Sequence, residues 1–366
     1  MQEDMHYYGT YAVARAAGLT TEDARVIAYS AQYVDDSTHN ESHEHEDGGM
    51  LRSIATAHHP AQVAHNAKCD HVEQRKVWVP FHFFPGNQGS SPSERLICRK
   101  NSQLARDMVT NHIQYAWSVN YGLQLIGIMA HVYLDTFSHY GFSGVSSRQN
   151  AVDGGSFDLQ VENDEMRSYI EGKFGNFLKK HAPDFVTENW RKAMSAAIEL
   201  GSGTLGHGSV GTYPDRPFLH WSFKYEKSNK ISERNNPETY MEGCEFLHQR
   251  FMEFAAKRYG DGKHTPVPFE DIREKVKKVI QLEARKEDRI NAWREAIKSG
   301  SLFKPSENEA LEYSPDEWEN QKKGFHSLEK SEQAIQTEVY RFHQAAIYHR
   351  DFTLKHLLPE NGIVVF

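Results

Sequence analysis

The chain has 366 residues, 39% of them hydrophobic and 25% charged, with a formal net charge of −8. This balance excludes disorder of the whole chain and gives no basic field to hold a nucleic acid in a stable complex by counterion release. Three cysteines without a CxxC pair exclude a disulfide scaffold, so the 21 histidines are the unusual figure, and any metal must be held by His and carboxylates.

The opening stretch, MQEDMHYYGTYAVARAAG, has acid where a signal peptide has a basic region, and no apolar core follows. The expected location is therefore the cytoplasm, or outside the cell by a route that needs no signal peptide. Apolar residues recur with a 3.6-residue period and period-2 alternation is nearly absent, which predicts an all-α fold, a multi-helix bundle. Helices are expected over about 6–18, 21–34, 101–138, 164–180, 185–200, 237–259, 269–299 and 327–357, with Thr20 or Thr21 as an N-cap. Loops at 35–56, 79–93 and 201–217 separate them, and loops of that length are usually functional or disordered. The most apolar run, 121–137, is shorter than the ~20 residues of a membrane span and carries a His and an Asp, so it reads as a core helix. The mixed-sign segment 269–299 reads as a solvated outer helix, and only the terminal GIVVF looks strand-like or docked. Residues 1–220 are expected to form a metal-binding catalytic core. Residues 221–366 are a helical extension packed on it or continuous with it.

The strongest chemical signal is AHVYLDTFSHYGF, where His131, Asp135 and His139 follow one another at intervals of four and share one helix face. The helix around them is apolar on all sides, so Asp135 is expected to be buried, and a buried carboxylate demands a cation or strong donors. A metal ion with imidazole co-ligands supplies that charge; an internal Asp–His hydrogen-bonded pair is the bland alternative. Asp35 and Asp36 end an apolar helix, His58 and His59 precede a proline, and His82 lies in the aromatic VWVPFHFFPGN. The acidic HNESHEHEDGG reads as a solvated loop. In GSGTLGHGSVGTYPDRP the GxGxxG pattern follows a helix rather than a strand, so a dinucleotide site is discarded. His207, flanked by glycines, can approach a bound group, and Arg216 can clamp a phosphate or pair with Asp215. Two ExxH spacings, Glu3 with His6 and Glu245 with His248, keep a di-iron carboxylate oxidoreductase as an alternative. A non-catalytic metal-binding or interaction protein is the other.

A buried helix with His-x3-Asp and a third His close behind, among further His and Asp residues, resembles the zinc-dependent phospholipase C and P1 nuclease family. The resemblance covers roughly the first 220 residues. It implies upstream ligands at Asp36 (or Asp35) and His58 (or His59), before the VWVPF segment. The family's mature N-terminal amino group ligates a zinc; Asp4 or His6 would stand in its place here, and His207, with Asp215 a weaker candidate, would replace a later His-and-acid pair. The chain as a whole resembles an uncharacterised bacterial family of unknown function that begins with a similar D-x-H-Y-Y and contains PFHF and GHGxxxTYPDRP segments.

These readings combine into an expected zinc-dependent phosphoester hydrolase, phospholipase C-like, with two or three Zn²⁺ ions between helices. The expected metal ligands are His6, Asp36, His58, His131, Asp135, His139 and His207, with Asp36 or Asp135 orienting the attacking water. His82, Phe83 and Arg216 are the expected substrate contacts, with Phe81 and Phe84 beside them as an apolar wall. A phospholipid or other small phosphodiester is preferred over a nucleotide, and transient contact with a membrane surface is expected, without a transmembrane segment.

Overall fold

The computed structural model describes residues 1–365 except 46, 59–71, 73, 182–204, 261–264, 308, 310–311, 326–327 and 329. The helix expected at 185–200, together with His59, Cys69, Gly201 and Gly203, lies outside the described residues. The chain opens with a wide π-type segment, Asp4–Gly9, continuing into α1, Thr10–Ala16. Thr20 then accepts a hydrogen bond from the Asp23 N–H, with Glu22 and Asp23 in the first turn, and starts α2, Thr21–Asp36.

The single helix expected over 101–138 is two, α3 (Gln103–Tyr115) and α4 (Gly122–Ser138). Between them Ser118 Oγ donates back to the Tyr115 carbonyl and Val119 takes up extended backbone, so the local hydrogen bonds of the linker compete with the helix. α4 is buried almost along its whole length and is surrounded by α2, α3, α6 (Asn236–Tyr259) and α10 (Glu338–Phe352), the others being α5 (Asp164–His181), α7 (Phe269–Ile280), α8 (Lys286–Lys298) and α9 (Asp316–Gly324). Gly127 sets the α2–α4 spacing: a Cβ there would lie 2.4 Å from the Ile27 carbonyl and 2.5 Å from Ser30 Cβ.

The all-α expectation is corrected: beside the helices, the described residues carry five strands in two small antiparallel sheets, a mixed architecture. β1 (Ser42–Glu44), in the acidic stretch, pairs with β2 (Met50–Arg52), which follows it, and His43 and His45 are buried rather than solvated. The second sheet has the order β3–β4–β5, formed by Val152–Gln160, His220–Tyr225 and Ile231–Asn235. Its alternation is visible only in HWSFKY, where Trp221 and Phe223 turn inward, because β3 shifts register between Asp153 and Asp158 and so loses a period of two. The sheet covers a small apolar cluster that includes Phe83, Phe142, Val210 and Phe218. The larger cluster contains residues from Met1 to Val365, on both sides of position 220, and near the C-terminus Ile363 and Val365 dock into it. No helix among the described residues is long and apolar enough to cross a membrane.

α10 is tied to the rest of the bundle by neutral histidines. His349 Nε2 donates to the Pro80 carbonyl and its Nδ1 faces His112 Nε2 at 2.8 Å, while His343 Nδ1 accepts from the Ile54 N–H. Burial pushes His343 down to about 3 and His349 to about 4, helped by Lys322 and His43 at the first and by His131 at the second. Below pH 6.5 the unfolded chain takes up protons that these folded sites refuse, so stability falls with pH from about 6.5 towards 4, by up to about 2 kcal/mol per group at pH 5. Urea unfolding at pH 7 and pH 5 measures this, and H349Q should flatten part of the slope.

Candidate metal centre

α4 presents His131, Asp135 and, at its C-cap, His139 to one point, all of them buried. Each imidazole is held in one tautomer by a backbone carbonyl. His131 Nδ1 donates to Ala31 at 2.7 Å, His139 Nδ1 to His82 at 2.8 Å, His82 Nε2 to Thr56 at 2.8 Å and His207 Nδ1 to Gly211 at 2.7 Å. The opposite nitrogen of each ring is left free of the backbone, and these nitrogens converge on carboxylates. His131 Nε2 and His82 Nδ1 lie 3.3 and 3.4 Å from Asp135 Oδ2 and 3.3 Å from each other. His139 Nε2 and His207 Nε2 lie 3.1 and 3.7 Å from Asp215 Oδ1. A proton or a metal ion between these nitrogens and the carboxylates makes the arrangement favourable, and a carbonyl on the far nitrogen is how metal-bound imidazoles are oriented.

His6 stacks on His131, with centroids 3.8 Å apart, and brings its Nε2 within 3.3 Å of Asp135 Oδ1 and 4.0 Å of Asp35 Oδ2. Neither of its ring nitrogens, nor Asp135 Oδ2, has a hydrogen-bond partner among the described residues. Burial, His131 and the Met1 amine push His6 down to about 3, and burial likewise lowers His207 to about 4. Burial alone would raise Asp135, but His139, the Met1 amine, His131 and His6 outweigh it and hold the carboxyl well below its ordinary range. His82 goes the other way: against the desolvation, Asp135 and Asp35 shift it upward. Three groups of ligand atoms result, His6/Asp35/His131, His82/His131/Asp135 and His139/His207/Asp215. Asp135 is a ligand in the second group and also lies within 3.4 Å of a ring nitrogen of His6 and of His139, so the three groups adjoin one another.

The Met1 amino group donates to Asp135 Oδ1 at 2.8 Å and lies 3.4 Å from Asp215, and these carboxylates raise it to about 11 despite complete burial. Neither Asp4 nor His6 occupies that place. Asp4 instead accepts from Arg289, a fully buried residue of α8, whose Nε is 2.7 Å from Asp4 Oδ2 and whose Nη2 reaches Gln2 Oε1 at 2.5 Å; Lys286 pairs with Glu3 at 2.7 Å. The C-terminal half thus holds the N-terminal segment against the centre.

The choices left open by the sequence are separated by geometry. Asp35 faces His6, His82 and His131, whereas Asp36 is turned away, accepting from Tyr313 at 2.6 Å and Gln32 at 3.2 Å. Burial raises Asp36 to about 6, against the Tyr313 hydrogen bond and with the charge of Asp35 adding to it. The upstream histidine at the centre is His82, not His58, which faces Trp78 at 6.3 Å. Phe83 stacks on His139 at 4.9 Å and lies 5.7 Å from His207, close enough that Gly206, with φ +55°, cannot carry a Cβ. Phe81 and Phe84 point instead into the large core. Arg216 does not close on Asp215: it donates to Thr212 at 3.2 Å, lies over Tyr169, and keeps a buried Nε without a partner. The ExxH glutamates are used by cations, Glu3 by Lys286 and Glu245 by Arg273 at 2.7 Å, so they do not form a carboxylate pair. D35N is expected to lower metal affinity by about tenfold or more, while D36N should leave bound metal unchanged, measured by competition with a chromogenic chelator.

The sequence profile of a family of unknown function, DUF6765, matches residues 1–357. The chain belongs to this family. Neither the curated proteins nor the solved structures gave a match. In this DUF6765 member the matched span contains every residue of the candidate centre, from Met1 to Asp215, and also the α8 arginine that pins the N-terminal segment.

Proposed function

We propose that the chain is a metal-dependent phosphoester hydrolase, phospholipase C-like, holding two or three Zn²⁺ ions on His6, Asp35, His82, His131, Asp135, His139, His207 and Asp215. The observation that carries this reading is the set of four imidazoles, each bonded at one ring nitrogen to a backbone carbonyl, whose opposite nitrogens converge on the buried carboxylates Asp135 and Asp215. All-nitrogen-and-oxygen donors of this kind suit zinc, and clustered zinc supplies acidified water and charge for in-line displacement at phosphorus. The residues divide the remaining work. Asp35, the most exposed carboxylate of the centre, marks its open side and is placed to orient water; Arg216 offers its unpartnered Nε to a phosphate oxygen; Trp78 and Phe83 give an apolar flank beside His82 and His139. That flank favours a lipid or other apolar phosphodiester over a nucleotide.

The test is elemental analysis of the purified chain together with cleavage of a chromogenic phosphodiester and of phosphatidylcholine vesicles. Bound zinc with cleavage abolished by a chelator and restored by zinc is expected. A chain that binds no metal and whose melting temperature is indifferent to zinc would refute the reading, and bound iron with redox activity would favour an oxidoreductase.

A further inference from the structure

A cavity of about 780 Å³, outside the candidate metal centre, lies between the β4–β5 hairpin and the loop that follows His139. Its wall holds Arg99, Lys227, Lys230 and Arg234, against two carboxylates, Glu94 and Glu233. Glu94 is already engaged: it accepts from the backbone of Ser90 and Ser91 and from the Ser90 hydroxyl, and those bonds lower it to about 2. Arg234 is buried, yet among the described residues no carboxylate lies within 4.0 Å of its guanidinium, which sits 3.6 Å over the Tyr140 ring and donates to Ser232 Oγ and the Tyr140 carbonyl. Arg99 keeps a buried Nε with no hydrogen-bond partner among the described residues. Buried or half-buried guanidinium groups are ordinarily paired with an anion, and planar Arg forks match the oxygens of a phosphate. Aromatic stacking compensates part of the charge on Arg234 but none on Arg99.

We infer that this cavity binds a phosphate monoester, its phosphate held between Arg99 and Arg234 with Lys227 and Lys230 at the mouth. The volume exceeds what a bare phosphate needs and leaves room for an organic substituent against Tyr140 and Tyr225. Tyr225 donates to the Gly141 carbonyl and Arg234 to that of Tyr140, so the occupied cavity grips the two residues that directly follow His139. The inference stands on its own residues and does not need the centre to be a hydrolase.

The experiment is calorimetric titration of the full chain with inorganic phosphate and with glycerol 3-phosphate. Both are expected to bind, the ester more tightly, and R99Q/K230Q should weaken both by about tenfold or more, in line with loss of charge-assisted bonds. The exposed pair K227Q/K230Q, which cannot disturb the core, should weaken binding in the same direction, and H207A, which alters the metal centre, should leave it in place. Phosphate binding that survives R99Q/K230Q and K227Q/K230Q, or that disappears only in H207A, would place the anion at the metal centre and overturn the inference. Absence of binding to the unaltered chain would overturn it as well. If free phosphate binds as tightly as the ester, the organic part of the ligand is wrong and the inference fails in that respect.

Discussion

D135N is expected to strip the centre of bound metal and to lower phosphodiester cleavage by about 10²–10³-fold or more, because this carboxylate lies within 3.4 Å of a ring nitrogen of His6, His82, His131 and His139. The substitution keeps the volume and removes the charge that the Met1 amine, His6, His82, His131 and His139 all face. Metal-free protein should suffer too. With Asp135 neutral, the buried amine loses its 2.8 Å partner and keeps Asp215 at 3.4 Å and the more distant charge of Asp35, so a loss of stability is expected below the about 3–5 kcal/mol of a wholly unpaired buried charge. Elemental analysis, turnover and denaturant unfolding each read one part of this, and a D135N chain that retains metal and activity would dismiss α4 as the centre.

The second large effect lies outside the centre. R289M leaves Asp4 as a buried carboxylate without a cation, and a loss of about 3–5 kcal/mol is expected. D4L/R289M should recover most of that stability, since a buried ion pair is often replaceable by apolar groups. Recovery of fold need not restore placement: Gln2 loses its tie to Arg289 in both variants, so the His6 side of the centre should still bind metal more weakly than the His139/His207/Asp215 side. Metal stoichiometry, measured well below each melting temperature, separates this positioning role from stability. Equal metal content in wild type and D4L/R289M would reduce Arg289 to a purely structural residue.

Much of the centre was legible because its chemistry sits on one helix. An Asp and two His at intervals of four in an apolar run can only be buried together, and the structure buries them. Asp35 was harder to separate from Asp36, yet the signal existed: Ile27, Ala31 and Asp35 are spaced by four along α2, and Gly127 opens the gap that lets Ala31 reach His131. His82 read as a substrate contact because nothing local shows which way a histidine between phenylalanines points; only the Thr56 carbonyl, distant in the chain, fixes it. The β3–β4–β5 sheet escaped because a register shift breaks the pattern of its longest strand, leaving HWSFKY as a lone alternating hexapeptide. Arg289 could not be found at all from sequence, since it lies in a helix whose charges otherwise face solvent.

The ligand-orienting carbonyls belong to segments that themselves carry ligands. His139 donates to the carbonyl of His82, His82 to Thr56, and Thr56 in turn to Val34, the neighbour of Asp35, while His131 donates to Ala31 one turn earlier. The centre is therefore wired in series, and damage to it should not add up. A pair such as H139A and T56V, linked only through His82, should together cost less than the sum of their separate effects on metal affinity, because the first break already frees what the second would release.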